Sequence, residues 1–232
     1  PTVRQLRRRW KPHKQRLLAE RPDHPMPIRF HRACSWLARV EKMSQPRDDD
    51  FALLAMWIGF NALYGRWNTS SGEPESDHAC CRQYLSRILT LDGEGRIRSV
   101  LTAQKRLVIA LFDVPYRSAY FWDEPANKRA GRARKAKFDA RSWYVEEAWE
   151  LIVERLMDRI YLMRCQLVHG ASTYGGKLNR TSLKHCATMQ EHLVRAVLEV
   201  IIDHGADEDW GPLCYPPVRA GVESGKTRKY RR

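Results

Sequence analysis

Apolar residues recur along most of this chain at helical spacing, three or four apart, and alternating strand patterns are poor. Residues 4–20 read as a basic helix that ends before Pro22, and residues 21–27 (RPDHPMP) read as a proline-rich linker. Helical periodicity resumes over about 28–43, with Phe30, Cys34, Leu37 and Val40 on one side. Asp48, Asp49 and Asp50 then precede an almost unbroken apolar run over 51–64. Carboxylates in that position suit a helix N-terminus, and Gly65 suits its C-terminal stop. A helix apolar on every side belongs in the middle of a bundle. Its one strongly polar interior residue is Asn61.

Two more amphipathic helices are expected over 76–91 and 95–112, joined at Asp92-Gly93. Residues 113–137 hold Pro115, Pro125, Gly131 and a basic run, and read as a long exposed loop inserted between helices. A long helix is expected over about 141–168, with Trp149, Ile152, Leu156, Ile160, Met163 and Leu167 as its apolar stripe. Gly170 can end it, and Tyr174-Gly175-Gly176 forms a turn. A final helix over about 180–203, capped by Asn179 or Thr181, carries Leu183, Ala187, Val194, Val197 and Ile201. The fold class is all-α, a bundle of about four to six helices. The expected organisation is a basic arm and linker (1–27), a helical domain (28–217) and a basic flexible tail (218–232).

Charge sharpens this picture. The chain carries 41 Lys and Arg against 27 acids, net +14. Segments 1–32, 128–141 and 219–232 carry net +8, +6 and +5, which leaves −5 on the rest. Peripheral cationic segments attract polyanions, so nucleic acid, an anionic protein and a merely solubilising surface are the readings to weigh. The six cysteines form no C-x-x-C pair, which fits reduced thiols and a cytoplasmic setting. No apolar run reaches the ~18 residues that spanning a membrane requires. Neither His185, Cys186 and His192 nor His78, Cys80 and Cys81 make a compact metal-binding spacing, so no metal or other cofactor is expected.

The segment with chemical promise is Tyr161-Leu-Met-Arg164-Cys-Gln-Leu-Val-His169-Gly170. Arg164 shares a helix face with Met157, Tyr161 and Val168, where an unpaired charge is costly. A buried salt bridge or an anion site would answer that cost. His169 stands five residues on, about 140° further round an ideal helix. The two side chains converge only if the helix ends near His169 or if two copies meet across a two-fold axis. A histidine at a helix C-terminus suits proton transfer, and an arginine supplies a planar phosphate clamp. Together they fit RNA cleavage by the internal 2′-hydroxyl, with Arg164 stabilising the phosphorane.

Arg164-Cys-Gln-Leu-Val-His169 resembles the R-x4-6-H signature of the HEPN superfamily, at the end of the penultimate helix. Residues 56–65, 169–180 and 209–217 also resemble HEPN proteins, particularly the Apea-like and related bacterial groups. The likeness spans roughly residues 28–217. It implies a helical bundle that dimerises with its motifs at the interface, and in many members a metal-independent ribonuclease of toxin–antitoxin, abortive-infection or antiviral systems. On that resemblance Arg164 and His169 are the catalytic pair. The chain departs from the pattern at Cys165, where active members often carry Asn, Asp or His, and a thiol is the poorer hydrogen-bond partner.

Other candidates surround the pair. Asn61, Cys165, Tyr174 and Asn179 are supporting residues, with helix-cap or turn duties as the alternative for Asn61, Tyr174 and Asn179. Lys128, Arg129, Arg132, Arg134, Lys135 and Lys137 form a phosphate-binding run without interleaved aromatics. Expected partners are RNA, a second copy through the Arg164–His169 face, and an antitoxin or defence-system protein, with no membrane. The function classes are a metal-independent endoribonuclease, a non-catalytic RNA-binding or sensor domain, and a helical interaction module.

Overall fold

The apolar run at 51–64 becomes helix α3 (Asp49–Tyr64), onto which α2 (Met26–Glu41) and α9 (Arg180–Val200) pack. The structure, a computed structural model, describes residues 1–114, 117 and 128–216, with only the backbone of 128–134. Asp48 caps α3 by accepting from the Phe51 N–H at 3.0 Å, and Asp49 and Asp50 sit in its first turn. The start of the run is therefore legible in its own residues, and the helix stops at Gly65 as expected, with Gly65 at an ordinary φ of −57°. Helices α2 and α3 approach closely at Gly59, where a Cβ would lie 3.2 Å from that of Trp36 and 3.3 Å from the Ala33 carbonyl. A side chain there would need these α2 neighbours to give by a few tenths of an ångström.

The remaining helices are α1 (Val3–Glu20), α4 (Asp77–Leu91), α5 (Arg96–Ala103), α6 (Lys105–Phe112), α7 (Lys128–Val145) and α8 (Trp149–Val168). A π-helical turn, Ile201–Gly205, continues α9. The only sheet among the described residues is a two-strand antiparallel ribbon, β1 (Trp67–Asn68) with β2 (Glu73–Pro74). The class is all-α, as the periodicity predicts. Among the described residues no helix is long and apolar enough to cross a membrane. All six cysteines are free thiols.

Three expected boundaries shift. Residues 128–137, expected in the inserted loop, form the first turns of α7 instead. Alanine, lysine and arginine are strong helix formers, and they outweigh Gly131. Further along α7, Ala140 is buried and the Tyr144 hydroxyl donates to the Leu101 carbonyl at 2.8 Å. The helix expected over 141–168 is broken between α7 and α8, with Glu147 at a positive φ of 52°. Glu147 pairs with Arg98 at 2.7 Å, and the Arg98 guanidinium lies over the Trp149 ring. Tertiary contacts thus accompany a break in a sequence that favours helix. The segment 95–112 is likewise split, at Gln104.

The N-terminal segment packs on the bundle through its apolar face, while Arg4, Arg7, Arg8, Lys11 and Lys14 stay exposed. Helix α1 buries Val3, Leu6, Trp10 and Leu17. Its Arg9 pairs with Glu199 and Asp203, and Arg16 and Arg21 pair with Asp207. Arg29 of α2 is fully buried and, among the described residues, donates to backbone carbonyls. It reaches Leu63 at 3.1 Å and Gly65 at 2.8 Å, the unsatisfied end of α3. It also reaches Gly211 and Pro212, both at 3.1 Å. One planar fork therefore caps a central helix and ties the C-terminal segment to it. Burial lowers its pKa to about 10, which still leaves it charged at neutral pH.

Candidate functional site

Helix α8 places Arg164 and then stops. His169 is its C-cap, and Gly170 follows at φ 70°. The Gly170 N–H donates to Leu167 O at 3.2 Å and the Ala171 N–H to Gln166 O at 2.8 Å, the paired bonds of a Schellman end. Glycine supplies the left-handed residue that this end requires.

The Arg164 guanidinium rests against two aromatic rings, its central carbon 5.6 Å from the centroids of Trp57 on α3 and Tyr161 on α8. Such contacts hold a cation in place without neutralising it. Its acidic neighbour is Asp77, the first residue of α4, with Nη2 3.8 Å from Oδ2. That spacing is longer than a charge-assisted hydrogen bond, so the pair is loose. Asp77 is fixed from its other oxygen: Oδ1 accepts from Asn61 at 2.7 Å and from the Tyr64 hydroxyl at 2.6 Å. Burial pushes the Tyr64 phenol well up, so it stays a proton donor. Arg164 also approaches the Cys165 thiol at 3.7 Å. Burial, and then that thiol, raise the Tyr161 phenol.

The arrangement is a planar cation seated on aromatic faces, part-buried, with one loosely placed carboxylate. An arginine offers five N–H donors. A phosphate arriving at Arg164 would meet donors that no close carboxylate holds among the described residues.

His169 is exposed at the end of α8. Among the described residues no hydrogen bond or ion pair joins its side chain to Arg164. Asn61 belongs to the Arg164 cluster through Asp77. Tyr174 does not: its hydroxyl donates to Asp48 Oδ2 at 2.7 Å, at the opposite end of α3. Thirteen residues of helix separate Asp48 from Asn61, roughly 20 Å of rise. Asn179 precedes Arg180, which pairs with Asp50 at that same far end. Asn179 itself takes the N-cap position of α9 at φ 61°, with no side-chain capping bond.

Of the basic run, Lys135 lies 3.8 Å from Asp139, and Lys137 donates to Asp113 at 2.6 Å. The side chains of Lys128, Arg129, Arg132 and Arg134 lie outside the described residues. Among the described residues no group of three or more His, Cys, Asp or Glu is placed to hold a metal ion.

Sequence reasoning reached Arg164, Asn61 and the shared face of Tyr161, but it missed Trp57, Tyr64 and Asp77. The i, i+3 spacing of Asn61 and Tyr64 was the available signal, because it sets two polar tips on one helix face. Asp77 reads in sequence only as an acid at a helix start. Neither a family model, nor a curated protein, nor a solved structure matches the chain.

Proposed function

We propose that the protein is a metal-independent endoribonuclease of HEPN type, a toxin or an antiviral or abortive-infection effector. Arg164 is its phosphate clamp and His169 a proton-transfer group. The observation that carries this reading is Arg164 itself, held on Trp57 and Tyr161 with the Asp77 carboxylate at 3.8 Å. A guanidinium so placed is ready for a scissile phosphate and for the charge that grows on it. The 2′-hydroxyl attacks phosphorus, the 5′ oxygen leaves, and a 2′,3′-cyclic phosphate forms.

Pairing of two copies through the Arg164–His169 face is part of the proposal. Val168, one turn beyond Arg164, is 54% exposed, and Ile58, next to Trp57, is 44% exposed. Pairing on this face would cover both apolar side chains. A second copy also offers a route for His169 to meet an Arg164 that its own chain does not bring to it. A neutralising antitoxin or defence-system partner fits the same setting.

One observation favours a second reading, RNA binding without cleavage. Cys165 follows the arginine, and its thiol is a weak hydrogen-bonding group. The two readings separate in a metal-free incubation of mixed RNA with wild type and Arg164→Ala in EDTA. Cleavage by wild type alone supports the ribonuclease. Binding that weakens in Arg164→Ala, with no cleavage by either protein, supports the second reading.

A further inference from the structure

Cleavage by the 2′-hydroxyl needs two proton transfers, one from the attacking oxygen and one to the leaving oxygen. The proposal above, on which this inference rests, supplies one histidine. The structure holds another beside the clamp. His78 follows Asp77 in the first turn of α4, and its Nε2 lies 3.2 Å from Asp158 Oδ1 on α8. Its ring centroid is 5.9 Å from that of Tyr161, the ring on which Arg164 rests. A cleft runs here between α3, α4 and α8, lined by Trp57, His78, Cys81, Met157, Asp158 and Tyr161. Trp57 and Tyr161 are thus shared: they back the Arg164 guanidinium and wall the cleft that His78 enters.

We infer that His78, oriented by Asp158, is the general acid that protonates the leaving 5′ oxygen of an RNA phosphodiester bound at Arg164. The geometry sets the division of atoms. A carboxylate only accepts, so Nε2–H is the nitrogen that faces Asp158. Nδ1 is then the atom that delivers the proton. The side chain of His78 is 51% exposed, so that nitrogen can reach a substrate. Asp158 is a positioning residue, and its second oxygen lies 3.6 Å from Arg155. In the reaction the 2′ oxygen forms its bond to phosphorus as the bond from phosphorus to the 5′ oxygen breaks. His169, brought by the second copy, takes the 2′ proton and His78 gives one to the 5′ oxygen. Nothing is oxidised or reduced, and solvent resets both imidazoles.

The test uses two substrates of one sequence, ordinary RNA and RNA with sulfur in place of the bridging 5′ oxygen at the cleavage site. A thiolate leaves without a proton because a thiol is far more acidic than an alcohol, about 8.5 on the pKa scale. With ordinary RNA, His78→Ala is expected to lose on the order of 100-fold or more in kcat. With the sulfur substrate it regains wild-type rate to within about tenfold. Asp158→Asn behaves the same way in weaker form, with KM unchanged. His169→Ala is slow on both substrates. Circular dichroism confirms that each variant is folded. The inference is overturned by His78→Ala at wild-type rate, by a loss that sulfur does not restore, or by restoration in His169→Ala instead. Cleavage that depends on Arg164 but not on His78 removes this inference and leaves the ribonuclease reading standing. Absence of any cleavage by wild type removes both.

Discussion

Asp77 stands 3.8 Å from Arg164 through one carboxylate oxygen, while its other oxygen accepts from Asn61 and Tyr64. The carboxylate is anchored on α3 and only leans towards the arginine. It can therefore orient the guanidinium and still yield it to a phosphate.

Exchange of that carboxylate for an amide isolates its charge. Asp77→Asn keeps an oxygen for Asn61 and Tyr64, so stability should change by no more than about 1 kcal/mol. Arg164 loses its neighbour, and a clamp displaced by an ångström costs on the order of 100-fold in rate. The expected result is a fall in kcat for RNA cleavage with an unchanged denaturant midpoint. An equal loss of stability and activity would make Asp77 simply a structural residue.

Arg29 should be among the most sensitive positions in the chain. Arg29→Ala leaves the buried Leu63 carbonyl and the part-buried bonds to Gly65, Gly211 and Pro212 without their donor. Each such loss costs about 1–3 kcal/mol, so the variant should lose about 3 kcal/mol or more in urea unfolding. Arg29→Lys keeps the charge but not the planar fork, and should recover only part of that. A midpoint within experimental error of wild type for Arg29→Ala would remove the clamp from the account.

The thiols should separate by burial. Desolvation pushes Cys81 up to about 12 and Cys34 and Cys186 up to about 11. All three are buried, whereas Cys165 is only part-buried. Native alkylation with iodoacetamide at neutral pH, followed by peptide mass spectrometry, should mark Cys165 well before those three. Equal labelling of Cys34 and Cys165 would contradict this packing.

Acid should weaken the fold below neutrality. Burial lowers the pKa values of His24, His185 and His192 beneath the ordinary 6.5. Between those lowered values and 6.5 the unfolded chain binds more protons than the folded one. Stability is then complete above about 6.5 and declines as pH falls through that window. Urea unfolding at pH 7.5 and 5.5 should show the decline, and His185→Gln with His192→Gln should flatten it. A fold that gains stability on acidification over this range would reverse the sign of the argument.

Much of the fold was legible because its signals are local. The apolar run of α3, the aspartates before it and Gly170 after α8 each act through neighbours in sequence. The break at Glu147 was not legible, since its partners Arg98 and Trp149 meet it only in three dimensions. The charge count also misled in part. Arg9, Arg16 and Arg29 looked like free surface cations, yet they bind acids or backbone carbonyls of distant segments. For the site, Arg164 announced itself as a charge on an apolar face. Asp77 did not, because an acid in a first turn is explained by the helix dipole alone.

Cleavage by Arg164 and a histidine through the 2′-hydroxyl, without a metal, leaves a chemical record on the RNA ends. The direct measurement is mass-spectrometric analysis of the RNA ends left by wild type in EDTA, beside Arg164→Ala and His169→Ala. Wild type is expected to leave 2′,3′-cyclic phosphate or 3′-phosphate paired with 5′-hydroxyl ends, and neither variant any such products. Ends carrying 5′-phosphate, or the same products from Arg164→Ala, would contradict it.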